Sequence, residues 1–247
     1  MMDKETNSIY KGISSYKYLN EKVGEELYYL RNNEYPTFMD LLMDLQATSI
    51  NSRQLDILIR LDFFEEFGGS KKLLGEVKIF EALYGKKVLN REKLPLGLTF
   101  DEIRPFANKI TEKQIREIDI LSLMNYCEMK LSNEDLPLKD KFKAMLEYQG
   151  FISYKDDSWN EDVYAVLKIK TNSYGTPFVT LYNLNKGEML EVKVYKKTLS
   201  RNPLDEYDVI YVATIPDRNK KRMDKATGEW ITLSETEKIL ETYRRVI

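Results

Sequence analysis

A chain of 247 residues with 43% apolar and 32% charged residues has room for one large domain or two modest ones, and its composition is that of folded globular protein rather than a disordered chain. It carries no histidine and one cysteine, Cys127, which excludes an internal disulfide, zinc sites built from His and Cys, and nucleophiles activated by histidine. The formal net charge of −2 predicts no global attraction to a polyanion, so any such contact must come from local clustering.

The opening residues, Met1 to Asn7, contain no apolar core of a signal peptide. Nowhere does an apolar run approach the ~18 residues needed to cross a bilayer. A cytoplasmic protein without membrane contact is expected. From Ser15 to Asn32, Leu19, Val23, Leu27 and Leu30 recur at helical spacing, with Asn20 placed to cap the second part. Pro36 and Thr37 open a helix from Phe38 to Leu45. Asn51 and Gln54 have capping-box spacing at the start of a helix reaching Leu61. Gly68 and Gly69 end the Phe63–Phe67 segment, and Ser70 starts a helix that Gly85 closes.

The middle, from Gly85 to Ser158, also reads as helical. Thr99 with Glu102, and Thr111 with Gln114, have capping-box spacing. Gln114 to Ile118 is expected on a surface helix packed by Ile115, Ile118 and Leu121. Cys127 falls in an apolar helical pattern and is expected to be a buried thiol. Lys155 to Asp162 is acidic and reads as a solvated linker.

From Trp159 onward the period changes to two. Asp162–Thr171, Phe178–Asn183, Glu188–Tyr195, Val209–Ile215 and Glu229–Leu233 read as five short strands. They are separated by the turns 172–177 and 185–187, a short helical linker over 196–202, and a basic loop over 217–228. Five strands with a break after the third match the Greek-key barrel called the OB-fold. The final stretch, with Ser234 and Glu237 at capping-box spacing and Ile239, Leu240 and Tyr243 as a stripe, reads as a C-terminal helix. The expected class is α+β, with an all-helical N-terminal region followed by a five-stranded OB-fold barrel and a C-terminal helix. The expected domains are a helical segment over 1–90, a helical connector over 91–158 and the barrel over 159–247.

Alternation assigns the barrel faces. Val163, Ala165, Leu167 and Ile169 are expected inward, which leaves Tyr164, Val166, Lys168 and Lys170 outward. Phe178, Thr180 and Tyr182 on the second strand, and Glu191, Lys193 and Tyr195 on the third, join that outer face. Aromatic rings stack bases at about 1–3 kcal/mol each with little sequence preference, while lysines follow phosphates. Lys196 and Lys197 extend the track after the third strand. The loop between the fourth and fifth strands supplies Arg218, Lys220, Lys221, Arg222 and Lys225, next to where an OB-fold holds an oligonucleotide. Lys17 and Arg53, near helix starts, are secondary candidates for phosphate contact. No catalytic or metal-ligating constellation is visible, and no cofactor is expected.

One ordered series of residues carries a family resemblance. Tyr10-Lys-Gly-Ile-Ser-Ser-Tyr-Lys17, Arg31, Tyr35-Pro-Thr-Phe38, Ile50-Asn-Ser-Arg-Gln-Leu55, Phe63-Phe-Glu-Glu-Phe-Gly68 and Leu73-Leu74, followed by Glu147-Tyr-Gln-Gly-Phe-Ile-Ser153, resemble the bacterial C-family replicative DNA polymerases. The likeness is to the C-terminal region of the polymerase III alpha subunit, and it covers nearly the whole chain. It implies a helix-hairpin-helix segment, a helical connector and an OB-fold, in that order. The family's hairpin has glycines where this chain has Tyr18 and Asn20, and a missing glycine blocks close approach of backbone to phosphate. The family's palm uses paired aspartates to hold metal ions, whereas no Asp-x-Asp pair occurs here. Gln114-Ile-Arg-Glu-Ile118 is a poor match to the family's clamp-binding peptide.

The resemblance implies a non-enzymatic DNA-binding module for single-stranded template DNA, a polymerase tail lacking the polymerase core. A polymerase core or other replisome proteins are implied as further partners. The alternative is a replisome adaptor whose OB face binds protein.

Overall fold

Side-chain caps set where the first helices begin. Asn20 accepts from Val23 N and starts α1 (Glu21–Leu30). Thr37 and Asp40 form a reciprocal capping box on α2 (Phe38–Leu45), and Asn51 with Gln54 does the same for α3 (Ser52–Arg60). Each cap satisfies backbone N–H groups that a first helical turn leaves unpaired. The computed structural model to which these belong describes residues 12–223 and 227–246, together with the backbone of 2–3 and 8–9, which form the short antiparallel strands β1 (Met2–Asp3) and β2 (Ser8–Ile9). Two units divide the chain, residues 1–150 and 151–247.

In the first unit α4 (Ser70–Leu83) begins against a later segment of the chain. Lys71 N and Lys72 N both donate to Glu134 O, and Ser70 N donates to Asp135 Oδ1 at 3.0 Å. Gly69 is required there by packing, because a Cβ on it would lie 2.4 Å from the Glu134 carbonyl. Lys141, buried on α7 (Leu138–Ala144), reaches Asp62 at 2.8 Å and Asp135 at 3.1 Å and fastens the same junction. Phe38, Leu42, Ile57, Leu58, Leu73, Leu83 and Ile103 fill one core, to which Cys127 also belongs. Burial raises the pKa of the Cys127 thiol, as expected for an inert core cysteine.

Two expectations for this region fail. It is not all-helical: β3 (Val88–Asn90), β4 (Ala107–Ile110) and β5 (Gln114–Ile118) form a three-stranded antiparallel sheet in the order β3-β5-β4. Gln114 to Ile118 is therefore the central strand, with Ile115 fully buried. The Thr111–Gln114 hydrogen bond that suggested a helix start exists, at 3.0 Å. Thr111 N in turn donates to Gln114 O at 2.8 Å, so the pair closes a hairpin instead. The true capping box at Thr99 and Glu102 opens the short α5 (Phe100–Ile103), and α6 (Ile120–Glu128) follows β5.

The second unit contains β6 (Val163–Thr171), β7 (Pro177–Asn183), β8 (Met189–Val194), α8 (Lys196–Arg201) and β9 (Val209–Thr214). It ends with β10 (Asp217–Met223), β11 (Trp230–Leu240) and β12 (Thr242–Arg245). The strand order is β10-β11-β8-β7-β6-β9-β12. Ile239 and Leu240, at the end of β11, pair in parallel with β8, and β12 pairs antiparallel with β9. Only Glu241 separates β11 from β12, so one continuous stretch joins β8 to β9. The α+β class holds, with the helices mostly N-terminal and the strands mostly C-terminal.

The C-terminal helix is absent. Ser234 to Glu237 lie in β11, where β10 supplies cross-strand partners, and Leu240 and Tyr243 enter the core of this unit. Burying that apolar stretch between β8 and β9 outweighs a local capping signal that contributes only about 1 kcal/mol.

Candidate nucleic-acid interface

A single β-bulge decides which residues of β6 face outward. The β6–β7 register shifts between Val166 and Lys168, leaving Leu167 unpaired. An extra residue reverses alternation on either side of it. Before the bulge, Val166 is fully buried in the core with Tyr164 packed against it, which reverses the outward assignment of both. After the bulge, Ile169 faces the core while Lys168 and Lys170 are exposed, as expected.

Cross-strand pairing then builds two rows. Lys170, Phe178 and Lys193 stand side by side in one, and Lys168, Thr180 and Glu191 in the next. The turn after β6 is tied by Asn172, whose Oδ1 accepts from Tyr174 N at 3.1 Å and Thr176 N at 2.8 Å. It presents Tyr174 at 84% exposure. A Cβ on Gly175 would meet Lys196 Nζ at 2.6 Å, so this turn lies against the start of α8. One end of the sheet thus gathers Lys170, Tyr174, Phe178, Lys193, Tyr195 and Lys196. Tyr195 is 45% exposed, and Lys197 is exposed on α8.

Not all of these cations are available. Lys193 lies 2.6 Å from Glu237. Lys168, Lys170, Lys196 and Lys197 have no ion-pair partner among the described residues. Tyr182 does not belong to the open face: it is 2% exposed and its hydroxyl donates to Tyr154 O at 2.5 Å. The segment before β6 folds over that half of β7, which alternation along β7 could not reveal.

The basic segment after β9 is a strand rather than a loop. β10 and the first part of β11 form an antiparallel ribbon, exposed along most of its length. Near its base Arg218 meets Glu241 at 2.6 Å and Lys238 meets Asp217 at 3.2 Å; farther out Lys220 meets Glu235 at 2.8 Å. The hydrogen bonds to Glu241 and Glu235 raise the pKa values of Arg218 and Lys220. Lys221 and Arg222 are exposed and have no ion-pair partner among the described residues, while Lys225 lies outside the described residues. Beside them are Met223, 51% exposed, and Trp230, 68% exposed. Strand alternation in the sequence marks neither these two residues nor Tyr174 as contacts. The available signal was an aromatic residue inside a Gly- and Asn-containing turn for Tyr174, and for Trp230 its place just after Gly228.

In the helical unit the secondary candidates Lys17 and Arg53 converge on Tyr18. The Arg53 guanidinium lies 3.6 Å and the Lys17 ammonium 4.9 Å from the Tyr18 ring centroid. Lys17 first, and Arg53 after it, draw the Tyr18 phenol below its ordinary pKa. Gln54 donates to Tyr18 O at 3.1 Å. Tyr18 has φ +70°, the left-handed region where glycine is the usual residue. Leu19 is buried and Asn20 caps α1. The turn before α3 repeats the pattern of an apolar residue followed by a capping Asn, with Ile50 and Asn51.

A family model for the helix-hairpin-helix motif matches residues 2–74. That span includes both Asn-capped turns, α1 to α3 and the start of α4, and the motif suggests nucleic-acid binding. No curated protein and no solved structure matches the chain. Among the described residues no helix is long and apolar enough to cross a membrane.

Proposed function

We propose that this chain is a cytoplasmic, non-catalytic DNA-binding module that holds single-stranded template DNA during replication. In this reading its organisation resembles that of the C-terminal region of a polymerase III alpha subunit, and the helix-hairpin-helix match over residues 2–74 supports the first part of that likeness. The observation that carries the reading is the row of Lys170 and Phe178 across β6 and β7, with Lys168 in the next row, both lysines without an ion-pair partner among the described residues. Tyr174, Tyr195 and Lys196 stand at its end. It offers rings for bases beside cations for phosphates, the combination that single-strand binding requires. Support for the OB-type barrel comes from the strand pairing, in which residues 239–245 lie against β8 at their start and β9 at their end.

The test is fluorescence anisotropy with a labelled oligothymidylate at low salt. Phe178→Ala should weaken binding about fivefold or more, the equivalent of one lost stacking contact. Thermal unfolding of the variant, measured alongside, separates lost contact from lost fold. The adaptor reading is favoured by the ion pairs Lys193–Glu237 and Arg218–Glu241, which neutralise part of the surface. Absence of single-strand affinity at low salt would select it.

A further inference from the structure

The β10–β11 ribbon differs from the sheet face in one respect that bears on its ligand. Strand neighbours point to opposite sides, so Lys221 and Arg222 project from different faces of the ribbon. Lys221 shares its face with Met223, Trp230 and Thr232, since Met223 pairs with Trp230 and Lys221 with Thr232. Arg222 shares the other face with its partner Ile231, itself 45% exposed. Each side therefore presents a cation and an exposed apolar group, while the other ribbon cations, Arg218, Lys220 and Lys238, are matched by acids. Lys221 and Arg222 have no such partner among the described residues; Asp224, two residues beyond Arg222 in sequence, lies outside them.

A single strand lying on a surface meets one face. Cations on both faces suit an element that stands between two rows of phosphates. The major groove of duplex DNA is about 12 Å wide and admits a two-stranded ribbon. At ~3.3 Å per residue, the seven residues of β10 reach about 23 Å, more than the groove's depth of about 8.5 Å. Exposed apolar side chains at the far end are of the kind that contact thymine methyl groups on the major-groove base edges.

We propose that the ribbon is an arm that enters a groove of duplex DNA, with Lys221 and Arg222 on opposite phosphate walls and Met223, Trp230 and Ile231 against the bases. This rests on the DNA-binding reading above and narrows its target to the junction of a duplex with a single-stranded overhang. The sheet face takes the overhang and the arm takes the duplex.

The experiment uses the full chain and three labelled probes: oligothymidylate, a blunt duplex, and that duplex carrying the same oligothymidylate as an overhang. The wild type should bind the overhang duplex about tenfold more tightly than the single strand, one good groove contact's worth. Met223→Ala with Trp230→Ala, and separately Lys221→Ala with Arg222→Ala, should lower that advantage to about twofold or less while leaving single-strand affinity unchanged. These side chains are exposed, so the variants should unfold at the wild-type temperature. Single-strand affinity that falls in parallel would place the ribbon on the single strand and overturn the arm, as would a wild type that binds single strand without preferring the junction. Binding to duplex but not to oligothymidylate would overturn the sheet-face reading; loss of that duplex binding in the Lys221→Ala/Arg222→Ala variant would support the arm, and its retention would overturn it. Binding to none of the probes would overturn both.

Discussion

Replacing Lys168 and Lys170 with alanine tests the electrostatics of the sheet face most directly. Both are exposed on β6 after the bulge, and neither has an ion-pair partner among the described residues. Each phosphate contacted by such a lysine contributes about −0.7 to the slope of log affinity against log salt for a single strand. Removing two contacts should flatten the slope by about 1.4. Between 50 and 200 mM salt, the double variant should then lose about sevenfold less affinity than the wild type. Lys193 provides the internal contrast. It stands in the same row but already sits 2.6 Å from Glu237, so Lys193→Ala combined with Glu237→Ala should leave the slope nearly unchanged. Anisotropy titrations with oligothymidylate at several salt concentrations give all three slopes. An unchanged slope in Lys168→Ala/Lys170→Ala, or an equal change in the Lys193/Glu237 variant, would refute the assignment of free and neutralised cations.

Three further outcomes test the architecture that positions the site. Tyr182→Phe should cost about 1 kcal/mol in urea unfolding by removing the hydrogen bond to Tyr154 O, with single-strand affinity unaltered; a clear loss of affinity would return Tyr182 to the contact face. Gly69→Ala should destabilise the helical unit by about 1–3 kcal/mol, because its Cβ meets backbone atoms of Glu134. Gly85→Ala meets no neighbour and should cost only the ~1 kcal/mol of its left-handed conformation; equal costs would refute the packing role of Gly69. Glu102 has its pKa lowered to about 2, first by Lys130 and then by the backbone and hydroxyl of Thr99. Its folded value lies below the ordinary one, so its contribution to stability is present above the ordinary carboxylate range and is lost as pH falls toward about 2. A carboxyl titration by NMR with an ordinary midpoint would contradict this.

Much of the local structure was legible in the chain. Asn20, Asn51 with Gln54, and Thr99 with Glu102 all cap helices as their spacing suggests, because a cap is made by residues three positions apart. Val179, Leu181, Val192 and Val194 face the core as alternation requires. Cys127 is buried, and the exposed lysines of β6 and α8 are where the pattern put them. The same local rules misread Thr111 with Gln114 and Ser234 with Glu237, since the spacing that caps a helix also fits a hairpin turn or a paired strand.

What sequence alone determined here is the change from helical period to strand period near Trp159, most helix starts, and the presence of an aromatic and basic face. Those signals are local, set by backbone geometry over a few residues. Tertiary structure alone decided which side of β6 faces outward, because the bulge at Leu167 exists only in register with β7. It also decided that the C-terminal stretch is strand, because β8, β9 and β10 supply its partners. Finally, it sorted the cations into neutralised and free, since Glu235, Glu237 and Glu241 lie 15 to 44 residues away from the lysines and arginine they pair with.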